Sequence, residues 1–147
     1  MTGIIIFICT TLCGFLCGKF IQKGVLQRQQ LFSDVVRYVA LLKINVQGKQ
    51  KELRQFNAEF AQNCSQVFAD YLSESKLPQM NALQKKLVAD FFGNLDCVSG
   101  NELLQHMEMF ETQFADCLKD CDAEAKKSSV YVKTGLLLGA MAGILFL

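Results

Sequence analysis

The sequence predicts an all-α protein, in which an antiparallel helical bundle is flanked by an N-terminal and a C-terminal transmembrane helix. Proline occurs once, at Pro78, and alternating β-branched residues are scarce, which favours helix along most of the 147 residues. Hydrophobic residues make up 51% of the chain and the mean hydropathy is +0.22, which is high for a water-soluble protein of this size. We therefore expect part of the apolar surface to face lipid.

The first apolar segment lies at the N-terminal end of the sequence. No charged residue occurs between Ile4 and Phe15, and the first charged side chain is that of Lys19. As a helix, the first eighteen residues would be about 27 Å long, close to the ~30 Å hydrocarbon core of a bilayer. The basic residues follow this segment, whereas they precede the apolar region of a cleaved secretory signal. Residues 1–22 are thus predicted to form a transmembrane helix.

The second apolar segment runs from Thr134 to Leu147 and is also uncharged. It would be only about 21 Å long as a helix, but it reaches about 27 Å when it starts at Val130. Lys133 then lies near the edge of the bilayer, where its long side chain can place the ammonium group among the lipid headgroups. Residues 130–147 are predicted to form the second transmembrane helix.

Basic residues flank the region between the two apolar segments, and the outer tips of the segments carry no charged side chain. Since loops on the cytoplasmic side are enriched in Lys and Arg, residues 24–129 are predicted to form a helical cytoplasmic domain of a cell-membrane protein. The basic residues concerned are Lys19, Lys23, Arg28, Lys126, Lys127 and Lys133.

Glycines recur at every fourth residue in both apolar segments. Gly135, Gly139 and Gly143 would share one face of the second helix, and Gly14 and Gly18 would share a face of the first. Small residues at this spacing let helices approach closely in lipid, so the five glycines are predicted to form helix-packing faces. Their spacing leaves open whether the faces pair with each other or with another subunit.

Four apolar stripes, spaced by three and four residues, predict the helices of the middle region. The first is expected to end near Gly48, and the second to continue through Asn63, Cys64 and Ser65. The stripes are Phe32, Val35, Val39, Leu42 and Val46; Leu53, Phe56, Phe60, Cys64, Val67 and Tyr71; Leu83, Leu87, Phe91 and Leu95; and Leu103, Met107, Phe110, Phe114, Leu118 and Cys121.

The region from Gly93 to Gly100 reads as a turn, and the last helix is expected to begin near Asn101. No proline separates this helix from the second apolar segment, so it is predicted to run into the membrane. The stripes drift away from the seven-residue repeat of a coiled coil, which favours a compact antiparallel bundle.

No catalytic site, cofactor or metal site is predicted. Lys and Arg total 15 against 14 for Asp and Glu, so no basic field favours nucleic acid, and no motif for nucleotide or small-molecule chemistry occurs. His106 is the only histidine, and Cys117 with Cys121 would supply only two of the four ligands of a zinc site. The seven cysteines include no CxxC pair and are interpreted as free thiols that fill apolar space in a reducing cytoplasm.

Three features of the sequence match a known family: Arg28 followed by the first apolar stripe, Phe92-Gly93 with Leu95, and most closely the segment Leu138 to Leu145. With these features the whole chain resembles the stage III sporulation protein AB family of spore-forming Firmicutes. Two positions depart from the family pattern. Asp96 stands where the family usually has glycine, and Asn45 where it usually has an acidic residue.

This resemblance implies a non-enzymatic platform subunit of a secretion-like channel between mother cell and forespore, in the mother-cell or outer forespore membrane. The expected partners are membrane lipid, a cytoplasmic sporulation ATPase and other subunits of the channel, and the domain is expected to be similar to the platform proteins of type II secretion and type IV pilus machines. The alternative is a small pore-forming or phage lysis membrane protein, since such proteins also have short, glycine-rich spans.

Overall fold

A computed structural model describes residues 2–49, 52–95 and 101–145, and within these ranges the chain is helical and contains no strand. The predicted all-α class is therefore confirmed for this part of the chain. A short π-helical turn, Asn45–Lys49, follows the first helix. The α-helices are α1 Thr2–Ile44, α2 Leu53–Ala61, α3 Gln66–Glu74, α4 Ala82–Asn94 and α5 Asn101–Ile144.

The chain forms two compact units, and α1 and α5 contribute residues to both. Residues Met1–Leu26 and Asp122–Leu147 make up one unit, here called the apolar pair. Residues Gln27–Cys121 make up the other, here called the core unit. The core unit lies inside the predicted cytoplasmic domain, residues 24–129, and the apolar pair contains both predicted membrane segments.

The core unit is held together by large apolar side chains from all five α-helices, with an aromatic cluster around Tyr38 of α1. The Tyr38 ring makes edge-on contacts with Phe56, Phe60 and Phe68, at centroid distances of 5.3, 5.2 and 5.6 Å. Edge-to-face pairs of this kind add to the free energy gained from burial. The Tyr38 hydroxyl donates a hydrogen bond of 2.6 Å to Oδ1 of Asn57, which satisfies the one polar atom of the buried ring.

The predicted single helix over residues 53–71 is wrong, because the chain breaks between α2 and α3. Ser65 is the N-cap of α3, and its hydroxyl accepts a hydrogen bond from the Phe68 N–H. The Ser65 N–H in turn donates to Oδ2 of Asp34 on α1, at 2.9 Å. The Arg37 guanidinium also donates to the Asn63 carbonyl, at 3.2 Å. Local capping and contacts with α1 therefore override a continuous apolar stripe.

Leu83 was predicted to belong to the core stripe of α4, but the structure leaves it 77% exposed. The buried face of α4 consists of Val88 and Phe91, with Leu95 following the helix. Asn81 caps the start of α4 by accepting the Gln84 N–H at 2.8 Å. Leu83 therefore lies in the first turn, outside the buried face of α4.

The turn predicted from Gly93 to Gly100 is partly wrong, since α4 continues through Gly93 to Asn94. The rest of that prediction, including Asp96 and Cys97, falls on residues 96–100, which lie outside the described ranges. The last helix begins at Asn101 and runs without interruption to Ile144, as predicted.

Lys43 of α1 forms the most closely connected ion-pair group of the core unit. Its ammonium lies 3.1 Å from Oε2 of Glu111 and 3.3 Å from Oε1 of Glu108, both on α5. The hydrogen bond with Glu111 is the main reason why the pKa of Lys43 is raised, and Glu108 adds to it. The pairs are partly exposed, so we regard them as fixing the register of α1 against α5 rather than as a large source of stability.

We predict that a fragment comprising residues 27–121 folds in the absence of detergent, because its apolar stripes cover one another. Phe68→Ala removes a fully buried ring and should lower the free energy of unfolding by about 3–5 kcal/mol. The matched change Leu83→Ala, at an exposed site, should alter it by no more than about 0.5 kcal/mol. Denaturant unfolding followed by circular dichroism measures both. A non-cooperative transition, or equal effects of the two changes, would contradict this view of the core.

Candidate functional site

The five glycines predicted to form packing faces all lie where α1 and α5 meet in the apolar pair. Gly14 lies against Gly135 and Gly139, and Gly18 lies against Gly135 as well as Tyr131. Gly143 meets the side chains of Phe7 and Thr10 instead of another glycine. The structure thus brings four of the five together, and it pairs the two faces with each other within one chain.

The two backbones are too close to admit even a methyl group between them. A Cβ atom on Gly14 would overlap the carbonyl oxygen of Gly135, and one on Gly135 would overlap the carbonyl oxygen of Gly14. A Cβ on Gly139 would lie 2.6 Å from the carbonyl oxygen of Thr10. The obstructing atoms belong to the backbone, so they cannot move aside as the end of a flexible side chain could.

The contacts define an antiparallel register over several helical turns. Each step of three or four residues forward along α1 is matched by a step of three or four residues backward along α5. One turn further along, the amide of Gln22 donates to the buried hydroxyl of Ser128, at 3.5 Å. The facing positions are Phe7 with Gly143, Thr10 with Gly139, Gly14 with Gly135, and Gly18 with Tyr131.

The same geometry aligns glycine Cα–H bonds with carbonyl oxygens of the facing helix. The position of a missing Cβ coincides with the direction of one Cα–H bond, so Gly14 and Gly135 direct such a bond at each other's carbonyl oxygen. Gly18 does the same toward Tyr131, where a Cβ would lie 2.7 Å from the oxygen. Weak Cα–H···O hydrogen bonds recur at close helix contacts and contribute about 0.5–1 kcal/mol each.

The outward surface of the apolar pair is formed by large apolar side chains. Thr10 and Thr11 are the polar residues within the apolar part of α1, and their hydroxyls donate to carbonyls one turn back in the same helix. This removes unpaired donors from the surface. The exposed large residues are Ile4, Ile5, Ile6, Ile8, Leu12, Leu16, Phe20, Ile21 and Leu26 on α1, and Val130, Tyr131, Leu136, Leu137, Leu138, Met141, Ile144 and Leu145 at the α5 end.

Of the described helices, α1 alone is long and apolar enough to cross a membrane, with a mean hydropathy of 2.2 over its most apolar stretch. In α5 the basic residues Lys126, Lys127 and Lys133 lie close before the apolar segment. The last two residues of the predicted second span, Phe146 and Leu147, fall outside the described ranges. The N-terminal span therefore meets the criteria of length and composition, and the described part of the C-terminal one does not.

The described cysteines of the core unit lie in positions that suit packing rather than chemistry. Burial raises the pKa of the Cys117 thiol, and the neighbouring Asp120 and Asp116 raise it further. Burial and the Asp34 carboxylate raise the pKa of Cys64 in the same way. Both thiols are thus held in the protonated, less nucleophilic form at neutral pH. Within the described ranges, no group of three or more His, Cys, Asp and Glu side chains could hold a metal ion.

The core unit also carries a groove of about 400 Å³ between α4 and α5, which the sequence did not predict. Leu83 and Leu87 provide its apolar lining, with Asp90 and Asp116 at its edge. Oε1 of Gln84 is buried in the groove and has no hydrogen-bond partner within the described residues. The spacing of Asn81 and Gln84 in Asn81-Ala82-Leu83-Gln84 is typical of a capping box, but the Gln84 side chain does not complete the box and its oxygen remains unpaired within the described residues.

The capping-box spacing in Asn81-Ala82-Leu83-Gln84 is the sequence feature that draws attention to Gln84, and through Gln84 to this groove. Comparisons of the chain with protein-family models, with curated proteins and with solved structures find no match. The described residues offer two features that bear on function, the glycine contact and the groove.

We predict that Gly14→Ala separates α1 from α5, whereas the same change at Gly24 does not. The added methyl group at Gly14 meets backbone atoms, but nothing lies within 4 Å of a Cβ at Gly24. Gly24→Ala should even stabilise the helix, by about 0.5–1 kcal/mol. The distance between the helices can be measured with spin labels at positions 12 and 137, which are exposed and lie at the same height on the two helices. The labels are attached to a variant without other cysteines, in detergent micelles. An unchanged distance in Gly14→Ala, or equal changes in both variants, would rule out a sterically determined contact.

Proposed function

We propose that this protein is a non-enzymatic scaffold subunit of a membrane complex, with the apolar pair in the bilayer and the core unit in the cytoplasm. The observation that carries the proposal is the distribution of side chains in the apolar pair. Glycine backbones meet inside, and large aliphatic side chains cover the outside. Water favours the opposite arrangement, whereas lipid permits it, because helix association in lipid relies on close packing.

The size of the exposed apolar surface supports a membrane location for both helices. Soluble monomers rarely expose contiguous apolar patches larger than a few hundred Å². In the apolar pair such side chains surround both helices over several turns. A second span through α5 is short, but its contact with α1 keeps it in place, and Lys133 can extend its ammonium toward the headgroups.

The more specific part of the proposal is that the complex is a secretion-like channel between mother cell and forespore, in the mother-cell or outer forespore membrane. It rests on the residues that resemble the stage III sporulation protein AB family, above all the segment Leu138 to Leu145. In this role the protein would transmit the motion of a cytoplasmic sporulation ATPase to membrane ring subunits. A helical core unit without a metal-binding cluster in its described part is compatible with such a passive role.

The groove between α4 and α5 is the surface that we assign to the ATPase. Its lining includes three acceptor groups, namely the Asp90 and Asp116 carboxylates and the buried Oε1 of Gln84, together with the side chains of Lys86 and Gln113. A guanidinium has donors only and an apolar stem, which would lie along Leu83 and Leu87. The partner should therefore present an arginine on an otherwise apolar helix face.

We predict that reporter proteins inserted near Gly100 report a cytoplasmic location. The lysines on both sides of the core unit favour that side of the membrane. A reporter that needs export should be inactive there, and one that works only in the cytoplasm should be active. The same pair of reporters attached after residue 147 should give the reverse result. Activity of the export-dependent reporter near Gly100 would overturn the topology.

We predict that Leu83→Arg lowers the recovery of the sporulation ATPase with the tagged full-length protein from sporulating cells. The new charge repels a basic partner and fills the groove. Since Leu83 is exposed, the level and helix content of the variant should match those of the parent. Ile44→Arg, at an exposed apolar site of α1 that does not line the groove, is the matched control. Equal recovery of the ATPase with both variants would show that the groove is not its binding site. If no ATPase is recovered with the parent protein, the ATPase is not a partner.

A further inference from the structure

Five lysines lie together at one end of the apolar pair, and the antiparallel register brings them to a common level. Lys19 and Lys23 follow Gly18 and Gln22 in α1, and these two residues face Tyr131 and Ser128 of α5. Lys126, Lys127 and Lys133 lie immediately on either side of that part of α5. We call these five residues the lysine collar.

The collar is compact along the helix axis. From residue 126 to residue 133 the helix rises by about 10 Å, and the α1 lysines fall within the same interval. The flexible stem of each lysine is long enough to bring all five ammonium groups into one plane. A plane of ammonium groups around a pair of apolar helices corresponds to the headgroup layer of a bilayer.

The lysines of the collar are free to bind a ligand. All five are exposed. Within the described residues none of them forms an ion pair, and Lys19 has a cation–π contact with Phe15, at 5.9 Å from the ring centroid. The apolar pair contains only two carboxylates, those of Asp122 and Glu124, so its own acidic groups cannot neutralise the collar.

Two exposed aromatic residues lie at the same height as the lysine collar, and such residues are typical of the interface between lipid and water. Phe20 is 70% exposed and Tyr131 is 40% exposed, and both adjoin the collar. Aromatic side chains are enriched at this depth of a membrane, and the chain has no tryptophan that could take the role. The aromatic residues are an observation independent of the charges.

We infer that the lysine collar binds the headgroups of anionic phospholipids. The inference rests on the proposed membrane location and adds a ligand class to it. A lipid with net negative charge offers a phosphate anion without the compensating amine of a zwitterionic lipid, and clusters of four to eight basic residues beside a membrane helix favour such lipids. Each lysine contributes through direct charge attraction, which salt weakens.

The test uses the full chain with Phe20→Trp, which supplies the only tryptophan, reconstituted in vesicles of phosphatidylcholine and phosphatidylglycerol. Quenching by brominated versions of either lipid gives their relative affinity at the collar. We expect phosphatidylglycerol to bind several-fold more strongly, with the ratio falling toward one at high salt. Changing all five lysines to glutamine should abolish the preference, and changing them to arginine should retain it.

The matched control changes three exposed lysines of the core unit, Lys76, Lys85 and Lys86, to glutamine and should leave the ratio unchanged. Equal quenching by the two lipids in the parent protein would overturn the proposed binding of anionic lipid by the lysine collar. A preference for phosphatidylglycerol that persists in the five-glutamine variant would do the same. Neither result would contradict the membrane location. Absence of quenching by either lipid would instead place residue 20 outside the bilayer and overturn the proposed function with it.

Discussion

Backbone-to-backbone contact between α1 and α5 at Gly14, Gly135 and Gly139 determines the geometry of the whole apolar pair. Because the carbonyl oxygen of one glycine occupies the space of the other's missing side chain, the observed register requires glycine at these positions. That register places large side chains outside, aligns the Cα–H bonds with carbonyls, and sets the level of the basic residues. A single methyl group at the centre would remove the basis for all three.

The two units solve the same packing problem in different ways. In the core unit the rings of Phe32, Tyr38, Phe68, Phe91 and Phe114 are withdrawn from water, and the free energy comes from burial of apolar area. In the apolar pair the large side chains stay outside, and the contact comes from small residues. Charge follows the same division, because lysine predominates over carboxylates in the apolar pair and acidic residues are in excess in the core unit.

Periodicity predicted the helical class, the stripes at Phe32 to Leu42 and Met107 to Phe114, and the glycines that lie in the contact. Such features depend only on residues one turn apart, which a sequence displays directly. The pairing of the glycine face of α1 with that of α5 could not be predicted, because the register of two helices depends on residues far apart in the chain. Gly143 illustrates this limit. Its spacing is the same as that of Gly135 and Gly139, but in the observed register it contacts Phe7 and Thr10 and no glycine.

Two wrong predictions have a common cause. A continuous apolar stripe suggested one helix through Cys64, and a regular spacing suggested a buried Leu83. In both places a capping residue, Ser65 or Asn81, sets where the helix starts and therefore which side chains reach the core. The free acceptor of Gln84 could be anticipated only as a capping-box residue, because its lack of a partner depends on the surrounding packing.

The antiparallel contact also sets an order of events during synthesis. Gln22 and Ser128, which meet in the apolar pair, are 106 residues apart in the chain. The first apolar helix therefore leaves the ribosome long before its counterpart exists, with its glycine face open to whatever lipid or protein is nearby. All residues of the core unit, Gln27–Cys121, also precede the second apolar segment in the chain. The apolar pair is thus the last part to be completed, and until then the glycine face of α1 is open to other helices.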